Sequence, residues 1–365
     1  MRKLKKLLIS PGIFFRDALI NKYPLVLNQN DIAFNTEEVI IKNIDSINQA
    51  FAPDFPIDVV YTWVDSSDPI WSKKKNSYLS AETIDKYEMY ATIESRYENH
   101  NELFYSLISI EKYLPWVNRI FIITDRQQPL IPESLIKKIT FIDHIDIIPH
   151  QFLPTFNSHV IEAYLHRIEG LAEHFLYFND DFFVARPLKP QHFFKSNKIS
   201  SLFVSNKKID IMSSYGRNTA TLTACNNCNY LMQEKFSVSF NHTLVHTYVP
   251  LKKSAFELTF KSFEKEITIF SKNKFRASLD LNMATFMVPY MQYQLGLSVP
   301  SIDICSYFNI RSPSAKKHYD SLLATKNKDN APHSFCANDF SSTEFQGMRY
   351  KKNLNDFLKN YFLNT

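Results

Sequence analysis

The chain has 365 residues, 45% of them hydrophobic and 22% charged, and a formal net charge of +5. This composition is ordinary for a globular protein with a large core. It excludes wholesale disorder, and the charge is too small to indicate nucleic-acid binding. Only 5 glycines are present, and no glycine-rich phosphate-binding loop occurs. A bound phosphate would therefore be held by side chains, a metal ion or a helix N-terminus.

Residues 1–30 alternate basic and apolar side chains. The pattern predicts a basic amphipathic arm that could lie on an anionic membrane surface, although a helix packed on the body of the protein would show the same pattern. No apolar run is long enough to span a membrane, and Pro11 and Asp17 interrupt any signal-peptide core. We therefore expect a cytoplasmic protein, peripheral at the inner face of the cytoplasmic membrane if the arm binds lipid. Residues 31–55 are expected to be a connector.

The first predicted strand covers residues 57–64, where β-branched and aromatic side chains predominate. It runs into Asp65 and Asp68 within a Ser-Ser-Asp-Pro turn. In a Rossmann-like sheet the end of the first strand holds the base or ribose of a nucleotide. The two aspartates could equally cap the turn or the helix that follows Pro69.

Helices and strands alternate in the next part of the chain. Asn101 and Glu102 precede apolar residues at helical spacing, and residues 119–125 and 138–148 have the composition of buried strands. This alternation predicts an α/β fold with a mostly parallel sheet.

Residues 154–171 predict a capped helix whose Glu162, His166 and Glu169 share one polar face. That face could line a site or could simply be solvated.

The stretch with the clearest chemical content covers residues 173–188. Its apolar run at residues 175–178 predicts a buried strand, which continues directly into Asn179, Asp180 and Asp181. Ligands bind at the carboxyl ends of the strands of an open α/β sheet, and paired carboxylates suit a Mg²⁺ ion that holds a diphosphate. The same triplet could be an ordinary acidic turn.

Beyond residue 205 the pattern becomes looser and more helical. The polar side chains that could serve a site there are His242, His246, Arg276, Asp280, Asn338 and Asp339. Cys225 and Cys228 form a lone C-x-x-C that could bind zinc, but no second pair or suitably spaced histidine accompanies them. Reduced, packed thiols are therefore expected, as is usual for a cytoplasmic protein.

Taken together, these segments resemble the Stealth family. The resemblance rests on four blocks that occur in order across residues 57–340: IDVVYTWVDSSDP; SRYENHNELFYSLISIEKYLPWVNRIFIITD continuing to LPTFNSHVIEAYLHRIEGLAEHFLYFNDD; the segment around His246 with FRASLD; and CAND. The first two blocks are close to the family pattern and the last two are looser. Many members carry Asp-Asn where this chain has Asn99 and His100. The segment after His246 also departs from the family's tighter His-x-Pro, which leaves His242 as a rival.

The family includes bacterial capsular-polysaccharide hexose-1-phosphate transferases and the catalytic subunit of the animal enzyme that adds GlcNAc-1-phosphate to lysosomal glycoproteins. The resemblance implies a Rossmann-like α/β sheet similar to that of nucleotide-sugar glycosyltransferases. It also implies transfer of a sugar-1-phosphate from a UDP-sugar to a hydroxyl of a growing capsular polysaccharide, with release of UMP. Residues 56–205 would bind the nucleotide-sugar, and residues 206–365 would bring the acceptor and complete the same active site.

Roles for individual residues follow from the same resemblance. A divalent cation, Mg²⁺ or Mn²⁺, would be held by Asp180 and Asp181. The donor would contact Asp65, Asp68, Asn101, Glu102 and Asn179, and the catalytic candidates are His246, Arg276, Asp280 and Asp339.

Two rival functions fit parts of the sequence. A metal-dependent glycosyltransferase would use the same donor but release UDP, and acid-tipped strands alone fit it equally well. The second rival is a non-catalytic capsule-assembly protein that is attached to the membrane or to other capsule-synthesis proteins through the basic arm. This function would not explain the site-like blocks.

Overall fold

In the computed structural model, residues 7–8, 11–22, 30, 32–48, 52–79, 94–214, 219–340 and 349–364 are described. Within these ranges the helices are α1 (Pro11–Lys22), α2 (Phe34–Asn48), α3 (Pro69–Asn76), α4 (Glu102–Tyr113), α5 (His144–Ile147), α6 (Ser158–Ala163), α7 (Pro190–Phe193), α8 (Ile209–Ser214), α9 (Ala220–Phe236), α10 (Lys253–Ser262), α11 (Glu264–Phe270), α12 (Val288–Gln294), α13 (Ala315–Thr325) and α14 (Tyr350–Phe362). The strands are β1 (Ile57–Thr62), β2 (Ile120–Thr124), β3 (Ile139–Asp143), β4 (His174–Asn179), β5 (Phe182–Val184), β6 (Ser200–Lys208), β7 (His242–Leu244), β8 (Val249–Lys252), β9 (Ser298–Ser301), β10 (Cys305–Asn309) and β11 (Ser334–Asn338).

The central sheet has five strands among the described residues, in the order β3-β2-β1-β4-β8. The first four are mutually parallel, and β8 runs antiparallel to β4 at one edge. This arrangement confirms the predicted mostly parallel α/β sheet.

The central strands are apolar on both faces because both faces are covered. Along β1, Val59 and Tyr61 point into one core and Val60 points into the other. Strand β4 behaves in the same way, with Leu176 in the first core and Tyr177 in the second. This two-sided burial explains the unbroken hydrophobic runs that identified the strands.

Two smaller sheets complete the described fold, with the orders β10-β11-β5 and β7-β6-β9. Strand β5 follows the acidic triplet directly, and β11 pairs with it antiparallel, so that Cys336 lies opposite Phe182. The predicted boundary between residues 205 and 206 falls inside β6, and β8 from the second region joins the central sheet. Both regions therefore contribute strands around the acidic triplet.

The structure differs from expectation in residues 154–171. Helix α6 is capped by Asn157 and ends at Ala163, and a 3-10 turn follows. The chain then turns to bury Ile168 and Leu171 before β4. Consequently Glu162 and His166 are both buried while Glu169 is exposed, and the expected single polar face does not form.

Residues 31–55, expected to be a connector, contain helix α2. Of the basic arm, residues 7–8, 11–22 and 30 are described, and Phe15 and Leu19 of α1 are exposed. No described helix combines the length and apolarity needed to cross a bilayer.

Candidate active site

Polar side chains gather at the carboxyl edge of the central sheet. Strands β1 and β4 are parallel and in register, with Thr62 opposite Asn179, so the residues that follow them emerge at the same edge. The hydroxyl of Tyr177 donates to Asn179 Oδ1 at 2.9 Å and lies 2.9 Å from Thr62 Oγ1. The strand order thus brings the first and second sequence blocks together.

Two carboxyl groups at this edge, those of Asp180 and Glu102, have raised pKa values. Burial, followed by the charge of Asp181, raises the pKa of Asp180 to about 7. Burial and the charges of Asp180 and Asp181 raise the pKa of Glu102 well above its ordinary value. Like charges held this close favour protons or a cation between them.

Asp181 connects this acidic edge to the last strand. Its Oδ2 accepts a hydrogen bond from Asn338 Nδ2 at 3.2 Å and from the Cys336 thiol at 3.3 Å. Residues 336 and 338 share one face of β11 because side chains alternate along a strand. One ligand atom each from Asp181, His246 and Cys336 lies within 4.8 Å of the others, so these residues could hold a metal ion.

The structure distinguishes the positions of the two rival histidines. His246 contacts the ring of Phe182 and lies in the cluster with Asp181, where burial lowers its pKa although the Asp181 charge opposes the shift. His242 lies on β7, with its Nδ1 2.9 Å from the carbonyl oxygen of Ser205. Of the two, His246 is the one placed beside the acidic triplet.

Of the residues predicted to contact the donor, Asn179 ends β4, and the other four lie after β1 and at the start of α4. Asp68 caps α3 by accepting from the amides of Ile70 and Trp71, so its carboxylate is largely committed to the helix. Asp65 Oδ2 accepts from Asn99 Nδ2 at 3.0 Å. Asn101 adopts the left-handed conformation at φ 66° immediately before the buried Glu102. These contacts fix the conformation of the loop after β1, and the backbone around Asp65 lies at the carboxyl edge of the sheet.

Gln127 was missed by sequence reasoning. Its Oε1 accepts from the Asp65 amide and its Nε2 donates to the Asp65 carbonyl and to Asp68 Oδ2. A single glutamine after β2 carries no sequence signal for this role.

Arg276 lies on the loop after α11 and faces the start of α6. Its guanidinium donates to Ser158 Oγ at 2.7 Å and to Thr221 Oγ1 at 3.0 Å. Arg96, which sequence reasoning missed, lies close by: burial and then the charge of Arg276 lower its pKa to about 9. Burial raises the pKa of the neighbouring Glu162 to about 7, although the charge of Arg276 opposes the shift.

Asp280 is fully buried beneath this loop. Its carboxylate accepts hydrogen bonds from Asn157 Nδ2 and from the Ala277 amide, and His159 Nδ1 lies 3.2 Å away. Asn273 Nδ2 also donates to it at 3.0 Å. The carboxylate therefore joins the Arg276 loop to the beginning of α6.

Asp339 belongs to an ion-pair network at the end of β11, which the His100 amide links to the Glu102 carboxylate. Arg311 binds its carboxylate through two nitrogens, and His100 Nε2 lies 2.9 Å from its Oδ2. Although burial opposes the shift, the bonds from Arg311 and His100 lower the pKa of Asp339. Arg311 was not found from the sequence because its partner is 28 residues away.

A second cluster of aspartate and histidine lies deeper in the protein. His192 Nε2 is 2.8 Å from Asp303 Oδ1, and His333 Nδ1 is 3.3 Å from the same atom. Tyr248 OH and Ser334 Oγ also donate to the Asp303 carboxylate, at 2.7 and 3.0 Å. These side chains are buried, and no sequence pattern singled them out.

Comparison with known proteins gives consistent matches. Two family models match this chain: Stealth protein CR1, conserved region 1, over residues 55–83, and Stealth protein CR2, conserved region 2, over residues 96–202. Capsular polysaccharide phosphotransferase LcbA of Aeromonas hydrophila is 46% identical over 99% of this chain and 99% of its own length. Capsular polysaccharide phosphotransferase LcbA of Neisseria meningitidis is 48% identical over 99% of this chain and 100% of its own length.

Among solved structures, the galactosyltransferase LgtC in complex with donor and acceptor sugar analogues covers 83% of this chain and 96% of its own, with a TM-score of 0.39 and 11% identity.

The α/β sheet with acidic residues at its carboxyl edge, together with the full-length relatives, defines the class: enzymes that transfer phosphate-containing groups. Within that class, the chain belongs to the Stealth family.

Proposed function

We propose that this enzyme transfers a sugar-1-phosphate from a UDP-sugar to a hydroxyl of a growing capsular polysaccharide and releases UMP. The observation that carries the proposal is the convergence of Asp181, His246 and Cys336 within 4.8 Å of one another at the sheet edge, with Asp180 next to Asp181. Phosphoryl-type transfer mainly requires positioning and neutralisation of charge on phosphate oxygens, and this set of residues supplies both. The names of the full-length relatives support the same reaction.

Asp180 and Asp181 would hold a divalent cation, Mg²⁺ or Mn²⁺, with Asn179 as an additional oxygen donor. When bound, such an ion neutralises the charge of the donor diphosphate. The amide of Asn338, hydrogen-bonded to Asp181, orients that carboxylate. Asp65, Asp68, Asn101 and Glu102 would shape the donor pocket beyond the end of β1.

His246 would accept the proton of the acceptor hydroxyl as its oxygen attacks the β-phosphorus and the bond to the UMP oxygen breaks. Burial lowers the pKa of His246, so the imidazole is neutral at pH 7 and has a lone pair to accept a proton. Arg276 would contact phosphate oxygens, and Asp339 would position the end of β11 through Arg311. If the His246→Ala variant kept the acidic limb of the pH–rate profile, His246 would not be the base.

The arm at residues 1–30 would bring the enzyme to the inner face of the cytoplasmic membrane, close to the capsule-synthesis proteins that extend the polysaccharide. The exposed Phe15 and Leu19 of α1 support this placement, since apolar side chains beside basic ones favour anionic lipid surfaces. Binding of the protein to anionic vesicles, with and without residues 1–30, tests the placement.

The experiment that tests the reaction is nucleotide release from a panel of UDP-sugars with capsule oligosaccharide primers, with and without EDTA. We expect UMP from one donor, with primer and only when metal is available. Release of UDP instead would identify a metal-dependent glycosyltransferase and refute the proposal.

A further inference from the structure

We propose that Arg96 is a second guanidinium of the phosphate site and forms with Arg276 a two-arginine pocket for phosphate oxygens. This inference rests on the proposed function and deepens it, because it adds a binding residue to the phosphate side of the site. The ligand chemistry is a phosphate mono- or diester anion, present both in the UDP-sugar and in a phosphodiester-linked acceptor.

The charge balance of the pocket favours an anion. Among the described residues, neither Arg96 nor Arg276 has a carboxylate within ion-pair distance. Glu162 is the nearby acid, but burial raises its pKa to about 7, so it offers at most part of one negative charge near neutral pH. Two guanidiniums are thus held together against their mutual repulsion, which an anion would relieve.

The Arg276 side of the pocket is rigid. Arg276 is fixed by the hydroxyls of Ser158 and Thr221, and its loop is fixed to α6 through the buried Asp280. The Phe156 amide also donates to the Lys274 carbonyl at 2.8 Å. Because the Arg276 guanidinium is already held in place, it loses little conformational freedom when phosphate binds. Two planar guanidiniums also match the geometry of the phosphate oxygens. Asp280 is accordingly a positioning residue.

The pocket lies beside the carboxyl edge of the central sheet. The Tyr97 carbonyl, next to Arg96, accepts from the Ser66 amide in the loop after β1. Tyr97 and Phe275, the neighbours of Arg96 and Arg276 in the chain, pack in the same buried cluster. Arg96 and Arg276 therefore flank the same sheet edge as the acidic triplet, so one diphosphate can meet carboxylate-bound metal on one side and arginines on the other.

The test compares Arg96→Gln and Arg96→Lys with wild type, in equilibrium binding of UMP, uridine and pyrophosphate in the presence of EDTA. EDTA removes the metal contribution, so the preference for UMP over uridine reports on protein groups that contact phosphate. We expect Arg96→Gln to reduce the UMP and pyrophosphate affinities about 10-fold or more while leaving uridine unchanged. Arg96→Lys should recover part of the loss, because it restores the charge but not the fork.

Arg167→Gln is the matched control, since it removes the same charge from an exposed arginine that packs on the Tyr164 ring. It should leave all three affinities unchanged. Arg96→Gln should also keep or increase the thermal stability, because it relieves repulsion with Arg276. A purely structural arginine would lower stability and leave the UMP-to-uridine ratio intact.

A second arm uses capsule oligosaccharides with and without their phosphodiesters as ligands. Loss of UMP binding in Arg96→Gln assigns the pocket to the donor, and loss confined to the phosphorylated oligosaccharide assigns it to the acceptor. Unchanged affinity for both phosphate sources would overturn the inference. Wild-type release of UDP rather than UMP would refute only the proposed reaction, since pyrophosphate binding is measured without turnover.

Discussion

Two clusters in this molecule use the same residue types and differ in almost everything else. Asp303 is surrounded by His192, His333 and two hydroxyl groups, with its side chain fully buried. Asp181 is partly exposed and lies at the sheet edge with His246 and Cys336. Its carboxylate accepts from Asn338 and from the Cys336 thiol at 3.2 and 3.3 Å.

The difference lies in how completely each carboxylate is satisfied. Burial alone would raise the pKa of Asp303, but the hydrogen bond from His192 and the proximity of His333 bring it below its ordinary range. His333 Nδ1 also accepts the Ile304 amide, so its lone pair is not available to a metal. Asp181 instead has Asp180 and Glu102 nearby, which add negative charge. A saturated carboxylate stabilises the fold, whereas an under-satisfied one among like charges is available for chemistry.

The sharpest way to break this comparison is Asp181→Asn. We expect UMP release to fall by more than about 10³-fold, the scale at which loss of a group that stabilises phosphate charge is felt. The melting temperature should stay near the wild-type value, because the amide keeps the shape of the side chain. Near-normal turnover would exclude Asp181 as a metal ligand.

Asp303→Ala should show the opposite pattern. Removing the carboxylate leaves its buried donors without an acceptor, which costs about 1–3 kcal/mol per donor in the free energy of unfolding, while turnover per folded molecule should stay near wild type. Because folding lowers the pKa of Asp303, its contribution is present above the ordinary aspartate pKa of about 4 and declines as the pH falls further. Urea titrations at pH 7 and pH 3.5 measure both effects. A stable but inactive variant would mean that the cluster takes part in catalysis.

The pH dependence of turnover sharpens the comparison further. With its pKa raised to about 7, Asp180 is mostly protonated below that pH, and a cation must displace the proton. At limiting Mg²⁺ concentration we expect activity to fall by up to about tenfold per pH unit below pH 7. This acidic limb of the pH–rate profile should move to lower pH as the Mg²⁺ concentration is raised. A limb that does not respond to Mg²⁺ would assign the titration to another group.

Cys336→Ser should have the smallest effect. A serine hydroxyl can still donate to Asp181, so we expect turnover to change by less than about tenfold. Initial-rate assays at saturating Mg²⁺ measure this, with Cys225→Ser as a matched control for a buried thiol on α9. A loss comparable to that of Asp181→Asn would make the thiol an essential ligand.

The strands were predictable because β-branched and aromatic runs that are buried on both faces leave an unbroken apolar signal. The placement of Asn179, Asp180 and Asp181 at the carboxyl edge followed from the same logic. The helix predicted over residues 154–171 is too long. The spacing of the Ile and Leu residues fits a continuous helix, but it fits equally well a chain that turns and buries the same side chains. Local spacing does not contain the packing that decides between the two.

Partners that are distant in sequence could not be predicted. Asp181 and Asn338 are 157 residues apart, and Arg276 meets Ser158 across 118 residues. The choice between His242 and His246 depended on which of them follows β7 into the site. A single sequence offers no pairing between such positions, so the partners of Arg276 and the presence of Arg96 beside it emerged only from the fold.

Strand β11 lies near the end of the chain, so it is synthesised long after the acidic triplet. The ribosome makes Asp181 well before Cys336 and Asn338, and these late residues are the ones that pair with it. An unfinished chain therefore carries the carboxylates without the groups that orient them. Transfer would accordingly begin only from completed chains, and a stop codon shortly before residue 334 would abolish activity even though the four parallel strands of the central sheet had been made.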